Sequence, residues 1–232
     1  MDSEPVDGIR GSGFENAGGQ IEGVRHRYAV DFAVGGDVRF CSHRDMMRLF
    51  ARAMARAELP VRFSAGFNPH PKLSLIPPRP VGVASEGDRL VLELTQDLEA
   101  DELLRRLSAT LPRGITLLQA RRLVEAEKCL PHRVCYVVAV PHADLEALRS
   151  RATHLPGSGP IFVQRVDKKM GQPKRVDIAP YIESLALTPE GIAMTLLATR
   201  EGTAKPSEVC AALGITDDAV TSRTRRVKVE WE

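Results

Sequence analysis

Tyr28, Val30, Phe32 and Val34 fall at every second position. This is the period of a strand with one buried face. Gly35-Gly36-Asp37 then signals a turn. Beyond it the period changes. Met46, Leu49, Phe50, Ala53, Met54 and Ala57 keep helical spacing. Ser42 with Asp45 three residues on forms a capping box that opens this helix, and Leu59-Pro60 closes it. Val61 to Ile76 is expected to be extended, interrupted by a loop at Gly66–Pro71. Pro77-Pro78-Arg79-Pro80 is excluded from any central strand. Arg89 to Leu94 predicts a strand, Asp97 to Leu111 a helix with Leu98, Leu103, Leu104 and Leu107 inward, and Ile115 to Leu123 another strand.

The order β-α-β-β-α-β is the ferredoxin-like arrangement, and it recurs. Val134–Val140 predicts a strand and Ala143–Ala152 a helix. Pro160–Val166 and a run after Val176 are extended, joined by a basic tip from Lys168 to Arg175. Gly191–Thr199, Pro206–Leu213 and Arg225–Trp231 complete the set as strand, helix and strand. The fold class expected is therefore α+β, two tandem ferredoxin-like (βαββαβ) units, one over residues 25–127 and one over 128–232, meeting near Lys128–Arg133. Residues 1–24 are rich in Gly, Ser, Asp and Glu and are expected to form a disordered tail. Their Gly8/Gly11/Gly13 cluster has no strand before it and no helix after it, so it is not a nucleotide loop.

Composition adds limits rather than an activity. At 43% hydrophobic and 27% charged, the 232 residues suit a globular protein. No apolar run reaches the roughly 18–20 residues of a membrane span, and the N-terminus shows no export signal. A cytoplasmic protein without membrane contact is expected. The formal charge of +2 hides an asymmetry, because residues 1–24 are acidic and the remainder is more basic than the total. Cys41, Cys129, Cys135 and Cys210 are scattered, with no CxxC pair. They are expected to be buried thiols of a reducing compartment.

Two stretches concentrate the polar chemistry. The first is Arg39-Phe40-Cys41-Ser42-His43-Arg44-Asp45-Met46-Met47-Arg48. A helix opening at Ser42 presents free N–H groups that favour a phosphate, and His43 stands at that opening. Arg44, Arg48, Arg52 and Arg56 recur at every fourth position without interleaved acids, forming a basic band suited to phosphate oxygens. The second is Gly66-Phe67-Asn68-Pro69-His70-Pro71-Lys72. Its two prolines fix the backbone on both sides of His70, with Asn68 and Lys72 adding a hydrogen bond and a charge. Lys168 and Lys169, in the basic tip, complete the phosphate or RNA candidates. His43 and His70 are the candidate catalytic groups, and the two stretches are expected to meet if Val61–Ser64 is the second strand. If Lys72–Ile76 is that strand, the loop falls at the opposite edge. His43, Asp45 and His70 have no established metal-ligand spacing, so no metal and no cofactor are expected.

These stretches closely resemble the radical SAM-linked (radical SAM-associated) protein family, a DUF2344-like domain of unknown function found beside, or fused to, radical SAM proteins. The matching residues are Gly36-Asp37, Arg39-Phe40, Ser42-His43, Asp45, Met47-Arg48, Arg52-Ala53, Arg56-Ala57, Leu59-Pro60, Phe63-Ser64, Gly66 to Lys72, Ser74, Pro80-Val81-Gly82 and Ser85-Glu86. Weaker similarity continues through Asp177–Ile182 and Lys205–Val209, so that residues 25–226 are covered. Arg44 stands where the family has an apolar residue. The chain has no CxxxCxxC and is too short for the enzyme's barrel. The resemblance therefore implies a separate radical SAM protein as partner, with RNA, tRNA among the candidates, as the shared substrate by analogy with other such enzymes.

Three functions follow as expectations. The first is a non-catalytic module that binds RNA for modification by the partner enzyme. The second is a metal-independent endoribonuclease, since the architecture and the placement of His43 resemble those of CRISPR repeat-RNA endonucleases. In that case His43 would be general base or acid, and His70 or Lys72 would stabilise the phosphorane. The third is a protein-binding adaptor that touches no nucleic acid.

Overall fold

The alternation at Tyr28–Val34 forms a strand, and the helical spacing after it forms a helix that packs on that strand. The computed structural model describes residues 25–167, 171–217 and 219–232, and side chains for all of these except 142–146. The expected tail at 1–24 lies outside them. In chain order the first half contains β1 (His26–Val34), α1 (His43–Arg56), β2 (Leu73–Ile76), β3 (Ala84–Leu94), α2 (Ala100–Ser108) and β4 (Ile115–Arg122). The second half contains β5 (Pro131–Val138), α3 (His142–His154), β6 (Phe162–Val166), β7 (Pro173–Asp177), β8 (Ile182–Thr188) and β9 (Gly191–Leu197), followed by α4 (Pro206–Ala212), α5 (Val220–Arg223) and β10 (Thr224–Trp231). The chain is thus α+β. No helix among the described residues is long and apolar enough to cross a membrane.

Eight strands share one mixed sheet in the order β4-β1-β3-β10-β5-β9-β8, with β2 also on β3. Neighbours are antiparallel except β3 and β10, which run parallel through Ala84–Arg225 and Ser85–Arg226. Within the first half the lateral order is β4-β1-β3-β2, and within the second it is β10-β5-β9-β8. Two apolar cores lie under the helices. Phe50 of α1 meets Phe32 of β1 edge-on at 4.9 Å, and Leu103 and Leu107 of α2 join the same cluster, fully buried. Leu148, Val209, Cys210 and Leu213 bring the later helices onto β5 and β9.

Three expectations change. The second strand is Leu73–Ile76 rather than Val61–Ser64, which contributes only the isolated bridges Val61–Leu94 and Phe63–Pro71. The extended runs flanking the basic tip pair with each other as the β6–β7 hairpin, apart from the main sheet, and β8 takes the sheet position beside β9. Of the four free thiols, Cys129 and Cys210 are buried, whereas Cys41 and Cys135 are half-buried.

Candidate functional site

Ser42 caps α1 as its position in the sequence dictates. Its Oγ accepts the Asp45 backbone N–H at 3.2 Å and donates to Asp45 Oδ2 at 2.6 Å. That hydroxyl, helped by Arg48 and Arg44, holds the Asp45 carboxyl below the ordinary carboxylate value. The inward positions of α1 are taken by Met46, Phe50, Ala53 and Met54, so Arg44, Arg48, Arg52 and Arg56 all stand exposed. Arg48 lies 3.7 Å from Asp45, and Arg56 donates to the Thr110 carbonyl at 2.6 Å. Arg52 has no partner among the described residues.

His43 is exposed at the first turn of α1 and lines a small cavity with Phe32, Met46, Leu75, Pro77, Arg79 and Asp88. Two of these, Arg79 and Asp88, belong to a polar cluster that sequence reasoning missed. Asp88 faces two guanidiniums: Arg226 at 2.6 Å and Arg79 at 3.5 Å. Ser85 Oγ donates to the same carboxylate at 2.5 Å. Arg226 is fully buried, yet it also donates to the Pro77 and Pro78 carbonyls at 3.1 and 2.9 Å and to Tyr136 Oη at 3.2 Å. Arg79 ties back to the carbonyls of Arg39 at 2.7 Å and Val83 at 2.6 Å. Burial pushes the Arg79 guanidinium below its ordinary value, with Asp88 resisting and Arg226 adding to the shift. For Arg226 burial works in the same direction, but Tyr136 and Asp88 outweigh it and hold the group above its ordinary value.

The cluster explains several motif residues as structural. Arg39 and the Pro80–Val83 turn are held against each other by Arg79 and by Gly82 N–H donating to the Arg39 carbonyl at 2.9 Å. Gly82 has φ +89°, a backbone conformation that a side chain would strain, although a Cβ would meet Thr221 and the Phe40 ring only at ordinary contact distance. One signal was available for Asp88: it lies opposite Phe32 in the β1–β3 register, so alternation places a carboxylate on the core side. Its partner Arg226 is 138 positions away in the sequence, which no local pattern reveals.

The second stretch builds a different feature. The loop Ser64–His70 is closed at its foot: Ser64 N–H donates to the His70 carbonyl at 2.8 Å, and His70 N–H donates to Ser64 Oγ at 2.9 Å. Its foot lines a cleft of about 410 Å³ with Arg27, Lys72, Ser74, Val91 and Glu93. Asn68 is exposed in the loop.

His43 and His70 therefore line separate cavities. Successive strand residues face opposite sides of a sheet. The His43 cavity takes Leu75, Phe32 and Asp88, whereas the His70 cleft takes Ser74, Arg27 and Val91. The two imidazoles sit toward opposite faces, in line with Leu73–Ile76 being the second strand, and they make no acid–base pair. Among the described residues, no three His, Cys, Asp or Glu side chains gather to hold a metal ion. Lys168 and Lys169 lie outside the described residues. On the adjoining hairpin, Arg175 stacks over the Phe162 ring at 3.6 Å.

A family model described as an uncharacterized protein conserved in bacteria (DUF2344) matches residues 27–206, from β1 to the start of α4. No curated protein matches the chain.

Proposed function

The chain belongs to DUF2344, a family of uncharacterized proteins conserved in bacteria, and on that premise we propose that it is a non-catalytic RNA-binding protein that presents RNA, tRNA among the candidates, to a separate radical SAM enzyme in the cytoplasm. The observation that carries the RNA reading is the arginine row of α1. Residues four apart on a helix rise about 6 Å and rotate about 40°, so Arg44, Arg48, Arg52 and Arg56 form a gently winding cationic ridge, accompanied by a single acid, Asp45. Several other surface arginines are neutralised. Arg121 pairs with Glu127, Arg133 with Glu183, and Arg225 with both Glu86 and Glu190. A phosphate backbone is the partner that a ridge of four exposed guanidiniums beside one acid fits.

The architecture is read in the same proposal as tandem ferredoxin-like units. In support, each half has the lateral order fourth, first, third, second, with the β6–β7 hairpin inserted in the latter half. The radical SAM partner rests on the motif resemblance. The endoribonuclease reading loses support, because His43 and His70 do not share a cavity.

The test is filter binding of bulk tRNA by wild type and by Arg48→Glu/Arg52→Glu between 50 and 200 mM salt. The variant should bind more weakly, with a logarithmic salt slope shallower by about two. Equal affinity would count decisively against RNA as the ligand. Co-purification of a partner enzyme that survives nuclease treatment, without RNA affinity, would point to the adaptor instead.

A further inference from the structure

We infer that the cleft at the foot of the Ser64–His70 loop, together with the loop's aromatic tip, binds an unpaired nucleotide of single-stranded RNA. This deepens the RNA reading and rests on it. Phe67, at the tip, is fully exposed, and Phe63, beside the foot, is 54% exposed. The Ser64–His70 hydrogen bonds, the Phe63–Pro71 bridge and the Lys72 N–H to Arg62 carbonyl bond at 2.8 Å hold the foot closed. Phe67 is thus presented on a braced loop, not buried in it. An exposed aromatic ring of this kind is a stacking surface for any base.

The cleft supplies what the rest of a nucleotide needs. Its volume of about 410 Å³ is within the range of small-ligand sites. Its charge is cationic: among the described residues Arg27 donates to the Glu127 carbonyl and pairs with no carboxylate, and the Lys72 ammonium has no partner. The single carboxylate in the lining, Glu93, already faces Arg62 at 3.7 Å. A surplus of positive charge suits a phosphate, and the Ser74 hydroxyl and the His70 imidazole offer hydrogen bonds to a base edge or ribose. Duplex RNA keeps its bases stacked and out of reach of a protruding ring, so an unpaired residue is the occupant that uses both features. A protein partner would need an acidic side chain for the cationic lining as well as an apolar cover for the phenylalanines.

The experiment compares a fluorescent single-stranded RNA 12-mer with its blunt duplex, using full-length wild type, Phe67→Ala, Lys72→Gln and Arg48→Glu/Arg52→Glu, each checked for an unchanged melting temperature. Phe67→Ala should weaken single-strand binding about tenfold or more and change duplex binding little. Lys72→Gln should weaken single-strand binding and lower its salt slope by about one. Arg48→Glu/Arg52→Glu should weaken both ligands. If Phe67→Ala and Lys72→Gln bind the single strand like wild type while Arg48→Glu/Arg52→Glu does not, the cleft assignment is overturned and the RNA reading survives. If wild type binds neither ligand, both fall. If Phe67→Ala loses a nuclease-resistant protein partner but keeps its RNA affinity, the loop is a protein-docking element and the assignment is overturned.

Discussion

Asp88→Asn tests the buried cluster with almost no change of shape. Asp88 is 4% exposed and is the carboxylate that both Arg226 and Arg79 face. The amide oxygen of asparagine can still accept from Ser85 or Arg226, so the substitution removes mainly charge. Two guanidiniums, with side chains 1% and 6% exposed, would then be held in the interior without a counter-ion. Breaking a buried pair by removing one partner costs about 3–5 kcal/mol. At about 2–4 °C per kcal/mol for a chain of this size, the melting temperature should fall by roughly 6–20 °C. Urea unfolding should show a lower midpoint at unchanged slope. Arg226→Met in wild type should also be costly, because it leaves Asp88, Tyr136 and two carbonyls short of a donor. In the Asp88→Asn background the same change removes one stranded charge and should cost less, giving a coupling well above about 0.5 kcal/mol. A loss below about 1 kcal/mol for Asp88→Asn, or additive effects in the double variant, would refute the account of a charge-compensated cluster.

Two further outcomes are expected. Gly191→Ala should destabilise by more than about 2 kcal/mol by urea unfolding, because Gly191 has φ +136° and a Cβ would fall 2.0 Å from the Val138 carbonyl oxygen, on the pairing of β9 with β5. Burial pushes the Cys210 thiol up to about 11, so the folded state keeps its proton where the unfolded state, near 9, has lost it. That stabilisation is complete below pH 9 and lost as pH rises to 11, at most about 2–3 kcal/mol, and a Cys210→Ala protein should show a shallower alkaline decline in urea-derived stability.

Local patterns revealed most of the elements, because each rests on a period: two along β1 and three to four along α1. The capping of α1 was legible for the same reason, as Ser42 and Asp45 are three residues apart. The second strand was not. Val61–Ser64 and Lys72–Ile76 both look extended, and only pairing to Leu90–Leu92 of β3 selects Leu73–Ile76. That selection decides which side of the sheet His70 serves, so the relation of the two histidines was beyond local reasoning. The arginines around Asp88 were invisible for a stronger reason. Alternation hints at a core-side Asp88, but a lone arginine among prolines and one in a distant strand each suggest solvent, and only the parallel contact of β3 with β10 brings Arg226 to Asp88.

β10, the last of the described strands in chain order, is the one that joins the two halves. Until it is synthesised, Asp88 lacks its Arg226 partner, the Pro77 and Pro78 carbonyls lack their donor, and the β3 edge at Ala84–Ser85 has no neighbour. A nascent chain can therefore gather the first half's apolar layer early, but the seam with the second half can close only once Thr224–Trp231 has emerged.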